Sequence, residues 1–119
     1  LAYEIVKIYH GEKEAKKGDK KDDYPKDVDL VTLDLPEPWL AVENASSVLK
    51  SGGFLVSYSP SVPQVADFVN AVKKNEKFVY LKTSEVVERE WEVEERRVRP
   101  KSKGIGHSGF LSFARKVKN

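Results

Sequence analysis

The sequence predicts an open α/β fold in which parallel strands are joined by two helices and followed by an antiparallel strand pair. Three observations carry this expectation. Residues 28–33 and 54–58 are short, mostly apolar runs of the kind buried on both faces of a parallel sheet. Each is followed by a proline-marked turn and a stretch with apolar residues at three- and four-residue steps, which is helical spacing. From residue 78 onward the pattern changes to alternation of apolar and charged residues, as in a half-exposed strand.

In chain order, residues 3–9 are β-branched and aromatic with near-alternation, and read as a strand. Residues 12–27 are rich in lysine and aspartate and contain Gly18 and Pro25, which predicts a charged surface loop. After the strand at 28–33, a helix is expected from near Pro38, with Trp39, Val42, Ala45, Val48 and Leu49 on one face. Ser51-Gly52-Gly53 is expected to stop it. After the strand at 54–58, a second helix is expected over 62–74, with Ser61 and Gln64 at capping-box spacing and an apolar face of Val65, Phe68, Val69 and Val72. Short joints between these units imply parallel strands and right-handed crossovers. A strand begins at 78–81. Val87, Arg89, Trp91 and Val93 then alternate with Glu88, Glu90, Glu92 and Glu94 in a strand with a glutamate face. Residues 96–106 read as a basic loop, and 110–117 as a strand returning antiparallel.

At 119 residues the chain is one domain at most, with 34% charged residues and 39% in the hydrophobic set. It has no cysteine, so disulfide frameworks, thiolate nucleophiles and Cys-based zinc sites are excluded. No apolar run reaches the length of a membrane span, and a cytoplasmic protein is expected. Abundant Lys and Glu without Cys or Met lean toward a thermophile. The chain opens on Leu1 and contains no methionine, which suggests a piece of a longer protein. Net charge is only +2, but it is unevenly spread. Residues 85–95 hold six glutamates and one arginine, whereas residues 96–119 hold eight Lys or Arg and no acid. Such a basic tail suits phosphate contact, although solvated lysines at an edge produce the same pattern.

Asp34 and Tyr58 close two successive strands of the same type. In an open parallel sheet with those strands adjacent, both side chains emerge at the carboxyl edge, where such folds bind ligands. Asp34 also reads as a helix-entry cap and Tyr58 as a rim aromatic, while Trp39 reads as a residue packed under the helix. His10 and His107 show no metal-ligand spacing, and no metal site is expected. No glycine-rich phosphate loop follows a strand, so dinucleotide binding and P-loop chemistry have no support.

Leu33-Asp34-Leu35-Pro36-Glu37-Pro38-Trp39, then 49–54 and 56–60, resemble the central part of the tRNA adenine-N1 methyltransferases. Further matches follow in order: Gln64-Val65, Glu88-Arg89-Glu90-Trp91-Glu92-Val93, Arg97-Val98-Arg99-Pro100 and Gly106-His107-Ser108-Gly109-Phe110-Leu111. The resemblance covers roughly residues 28–117. It implies the C-terminal half of a Rossmann-like class I methyltransferase fold, with S-adenosylmethionine as cofactor, tRNA as partner and a homo-oligomer, tetrameric in this family.

Carried over residue by residue, the resemblance makes Asp34 the active-site aspartate and Tyr58 the tyrosine that positions the base. It places Asp34, Leu35 and Glu14 toward the methyl donor, and Pro36, Trp39, Tyr58, His107, Arg97 and Arg99 toward the RNA. One departure is large. The glycine-rich loop after the first strand and the acid ending the second, through which this fold holds its methyl donor, are absent from the sequence. The resemblance thus implies a partial catalytic domain that is inactive by itself. The alternative is a non-catalytic RNA-binding or oligomer-assembly module built on the same fold.

Overall fold

The computed structural model describes residues 5–8, 25–102 and 107–119. Most of the charged segment 12–27 therefore lies outside the described residues. The elements are β1 (Ile5–Ile8), β2 (Val28–Leu33), a 3₁₀ turn (Pro38–Ala41) running into α1 (Val42–Val48), β3 (Leu49–Ser59), α2 (Val62–Lys74), β4 (Phe78–Glu88), β5 (Trp91–Glu94), β6 (Arg97–Pro100) and β7 (His107–Lys116).

Five strands form one sheet in the order β1-β2-β3-β7-β4. β1, β2 and β3 pair in parallel, and β7 pairs antiparallel with both β3 and β4. β4 therefore runs parallel to β3 with one strand position between them, and that position is filled by the last strand in the sequence. The expected antiparallel return is present, with β7 inserted between β3 and β4.

Alternate residues of the sheet face the helices. Val31, Leu33, Leu55, Phe78 and Ala114 are buried there against Val42, Ala45 and Val48 of α1 and Phe68 and Val72 of α2. Phe68 is fully buried, and its large apolar surface anchors α2 to the sheet. The opposite face carries Phe54 on β3 and Val79 and Val86 on β4, each more than 40% exposed, and no described element covers it. A row of hydroxyls crosses the helix-facing side: Tyr80 donates to Thr83 Oγ1 at 2.8 Å, and Thr83 and Ser112 share a 2.9 Å hydrogen bond.

Three local expectations are corrected. The first helix ends at Val48, so Leu49 and Ser51-Gly52-Gly53 belong to β3 rather than to a helix stop. Between Val28↔Leu49 and Leu30↔Phe54 the register shifts, and residues 50–53 form an irregular stretch with Gly52 at φ 89°. The alternating segment 87–93 is not one strand: β4 ends at Glu88 and β5 starts at Trp91. Finally, part of the basic segment 96–106 is strand β6, which folds back on β5 with Glu92 opposite Arg99 and Glu94 opposite Arg97. Cross-strand charge pairs line one side of the hairpin that replaces the expected loop.

Lys116 is buried, and its ammonium donates to the carbonyls of Ser46 and Leu49, both at 2.6 Å. It thus satisfies acceptors at the end of α1 that the helix itself leaves unpaired. Burial, with Lys77 nearby as the next cause, pushes the Lys116 ammonium below the usual lysine range.

Two substitutions test these packing assignments. Lys116→Met is expected to destabilise by about 1–3 kcal/mol, because two carbonyls lose their donor; chemical denaturation measures this. Gly53→Ala is expected to cost a similar amount, about 1–3 kcal/mol. A Cβ there would lie 3.0 Å from the Lys50 carbonyl and 3.1 Å from that of Asp29. A melting temperature equal to that of the parent would contradict the second assignment.

Candidate active site at the carboxyl edge

β2 ends at Leu33, which pairs with Ser57 of β3. The next residue on each strand is Asp34 and Tyr58, so the parallel register sets them side by side at the carboxyl edge. Asp34 is exposed and Tyr58 is half-buried. Leu35 turns inward and is buried, which anchors the chain just past the carboxylate. Pro38 is also buried and opens the 3₁₀ turn at its first position, where the missing N–H costs nothing.

The loop between these anchors is tied from outside. Gln64, in the first turn of α2, donates from Nε2 to the Pro36 carbonyl at 2.9 Å. Its Oε1 accepts a 2.7 Å hydrogen bond from the Ser61 hydroxyl. The expected capping pair is therefore a side-chain pair, with no side-chain cap on the helix backbone. Gln64 was not among the expected site residues. The sequence marks it twice, by the Ser61–Gln64 spacing, which reads more simply as a helix cap, and by its place in the resemblance at 64–65, neither of which points to the Asp34 loop.

β7 enters the sheet at this same edge, since Ser59 pairs with Phe110 and Tyr58 with Leu111. Gly109 lies against the Tyr58 ring. The backbone of His107 opens β7 opposite Glu88, where β4 ends. The side chain of His107 and all of Glu14 lie outside the described residues. The β5–β6 hairpin is rooted here too, because it connects the end of β4 to the start of β7.

Arg97 and Arg99 stand on that hairpin. Arg97 donates to Glu94 at 3.0 Å and Arg99 to Glu92 at 3.2 Å, while Lys101 donates to Glu90 at 2.7 Å. The Lys101 hydrogen bond holds the Glu90 carboxyl below its usual value, and Glu90 in turn raises Lys101. Exposed pairs of this kind contribute little to stability, so another anion can replace the glutamates at small cost.

The structure brings Asp34, Leu35, Pro36 and Tyr58 together at one edge and places Trp39 elsewhere. Trp39 is half-buried in a groove of the helical side, walled by Ala71, Lys74 and Lys77. Among the described residues no cluster of three or more His, Asp or Glu side chains is placed to hold a metal. None of the described helices is long and apolar enough to cross a membrane.

The fold is that of class I methyltransferases. A SAM-dependent O-methyltransferase from Thermotoga maritima superposes with a TM-score of 0.68 at 22% identity, covering 96% of this chain and 50% of that one. The tRNA (m1A58) methyltransferase TrmI from Aquifex aeolicus superposes with a TM-score of 0.65 at 20% identity, covering 96% and 54%. Residues 3–105 match the family described as tRNA methyltransferase complex GCD14 subunit. The chain belongs to this family. Among its relatives, the tRNA (adenine(57)-N(1)/adenine(58)-N(1))-methyltransferase TrmI of Methanocaldococcus jannaschii is 46% identical over 91 residues, 76% of this chain and 32% of the relative. A tRNA (adenine(58)-N(1))-methyltransferase TrmI of Thermus thermophilus is 41% identical over 90 residues, 76% and 35% respectively. The chain thus spans about a third of the length of these curated relatives.

If Gln64 holds the loop after Asp34, the backbone amides of Leu35 and Glu37 in Gln64→Ala are expected to exchange with solvent about fivefold faster, the equivalent of one lost hydrogen bond of about 1 kcal/mol. Global stability should change by no more than that. Hydrogen exchange alongside a melting curve separates the two effects.

Proposed function

We propose that this chain forms one wall of the active site of a SAM-dependent tRNA adenine-N1 methyltransferase, with Asp34 and Tyr58 as the residues that meet the target base. The observation that carries the proposal is their placement on neighbouring parallel strands at the carboxyl edge, where Leu33 pairs with Ser57. The names of the relatives supply the substrate class.

The residues fit one side of a methyl-donor site. Asp34 offers an exposed carboxylate beside the buried Leu35, on an edge with an uncovered sheet face beside it. The backbone cradle that a glycine-rich turn provides is not among the described residues. S-adenosylmethionine, when bound, supplies an electrophilic methyl group. Asp34 accepts a hydrogen bond from the exocyclic N6 amine of adenine and so raises the electron density at N1, the atom that must attack. Tyr58 offers its ring to the base and its hydroxyl as a donor, which fixes the orientation. The base has to leave its stack to reach this edge. Arg97 and Arg99, on the hairpin rooted at the same edge, are placed to exchange their glutamates for RNA phosphates.

The protein works as a homo-oligomer on this reading, and the hairpin supports it. Glu92, Glu94, Arg97 and Arg99 pair on one side, while Trp91, Val93 and Val98 on the other are each more than half exposed. A two-stranded hairpin with an uncovered apolar side is marginal alone and gains from a partner surface.

In the complete protein, Asp34→Ala is expected to reduce methyl transfer to tRNA by about a hundredfold or more, while leaving the fold intact. Radiolabel transfer from S-adenosylmethionine, checked against circular dichroism, measures this. Transfer at the parent rate would remove Asp34 from the mechanism. Salt-sensitive tRNA binding without any methyl-donor binding by the complete protein would favour a non-catalytic RNA-binding module.

A further inference from the structure

We infer that Gly109 is a positioning residue for Tyr58, and that its missing side chain is the seat holding the ring away from Asp34. The inference rests on the reading of Tyr58 as a wall of the base pocket. A Cβ built on Gly109 would sit 2.6 Å from the Tyr58 hydroxyl and 2.7 Å from Cζ, with Cε2 nearer still. Real Cβ atoms do not approach that closely, so an alanine requires the ring or the strand to move. Gly53 meets mainly backbone, whereas all three nearest neighbours of Gly109 are atoms of this one aromatic side chain.

The direction of the contact gives it functional content. Tyr58 pairs directly with Leu111, and Gly109 is the diagonal neighbour on the same face of β7. The ring therefore leans from β3 across β7, toward β4, where Val86 pairs with Gly109. β2, which carries Asp34 past its end, lies on the opposite side of β3. β2 and β7 are two strand spacings apart, about 10 Å. On this inference the ring is seated over β7 so that the base can lie over the end of β3, between Asp34 and the ring. A side chain at residue 109 pushes the ring back toward that space. The glycine thus sets the width of the slot without touching the substrate.

The test uses the complete protein carrying 3-fluorotyrosine, in which the resonance of Tyr58 is assigned by its loss in Tyr58→Phe. In Gly109→Ala the fluorine resonance of Tyr58 is expected to shift, while that of Tyr80, on the helix-facing side, stays in place. Methyl transfer should show the KM for tRNA raised about tenfold, with kcat changed by less than about threefold, as expected when uniform binding of the base is lost. An unmoved Tyr58 resonance overturns the seat, whatever the kinetics. A moved resonance with unaltered KM and kcat keeps the seat and overturns the role of Tyr58 in the pocket. If Gly109→Ala does not fold, the double variant Gly109→Ala/Tyr58→Leu decides. Recovery of folding supports the steric seat, and continued failure overturns it.

Discussion

Asp34 and Tyr58 stand beside each other because two parallel strands are held in one register, with Leu33 opposite Ser57. A slip of one residue would turn the buried set Val31, Leu33 and Leu55 away from the helices, so the core and the site share a single constraint. The irregular stretch at 50–53 absorbs the mismatch at the other end of β3, where Lys50 pairs with Asp29 and Gly53 packs against backbone. Ser57 Oγ is buried with no hydrogen-bond partner among the described residues. It is a polar atom kept at the pairing position next to the site, at a cost in stability rather than a gain.

The candidate edge is supported from both faces of the sheet. Tyr58 belongs to the uncovered face and leans over β7. The loop after Asp34 runs the other way, with Leu35 and Pro38 buried and Gln64 of α2 holding the Pro36 carbonyl. The edge is thus bounded by the Tyr58 ring against Gly109 and by a loop that α2 braces through Gln64. Class I methyltransferases of widely different sequence share this scaffold at 20–22% identity. The scaffold positions a site at the edge, while the chemistry depends on which side chains stand there.

Much of this was legible in the sequence. The apolar runs at 28–33 and 54–58, the prolines at 38 and 63, and the apolar face of the second helix foretold β2, the second half of β3, the helical start at Pro38 and α2. Their order alone placed Asp34 and Tyr58 at one edge. What was not legible depends on contacts distant in sequence. The glycines at 52 and 53 look like a helix stop, and only the pairing of β2 with β3 makes them part of a strand. The basic run after Arg96 looks like a loop until its arginines meet the glutamates seven or fewer residues earlier. Trp39 neighbours Asp34 in the chain, yet the 3₁₀ turn carries it to the helical side, into the groove with Lys74 and Lys77. Gln64 and Gly109 fall within matched motifs, but the sequence does not say what either touches, because each meets a residue that the fold brings to it.

The position of β7 has a consequence for how the molecule is made. It follows the other described strands in the sequence, yet it occupies an interior place in the sheet and supplies the pairing edges of both β3 and β4. Until it leaves the ribosome, β4 has no strand to join and the carboxyl edge has no floor beneath Tyr58. Pairings as distant as Phe54 with Arg115 close only after most of the intervening chain is complete, which makes them slow steps. During that interval the edges of β3 and β4 that β7 covers stay unpaired, the condition in which folding intermediates associate wrongly. Lys82, Glu85 and Glu88 along β4 then help to keep an exposed edge soluble until its partner arrives.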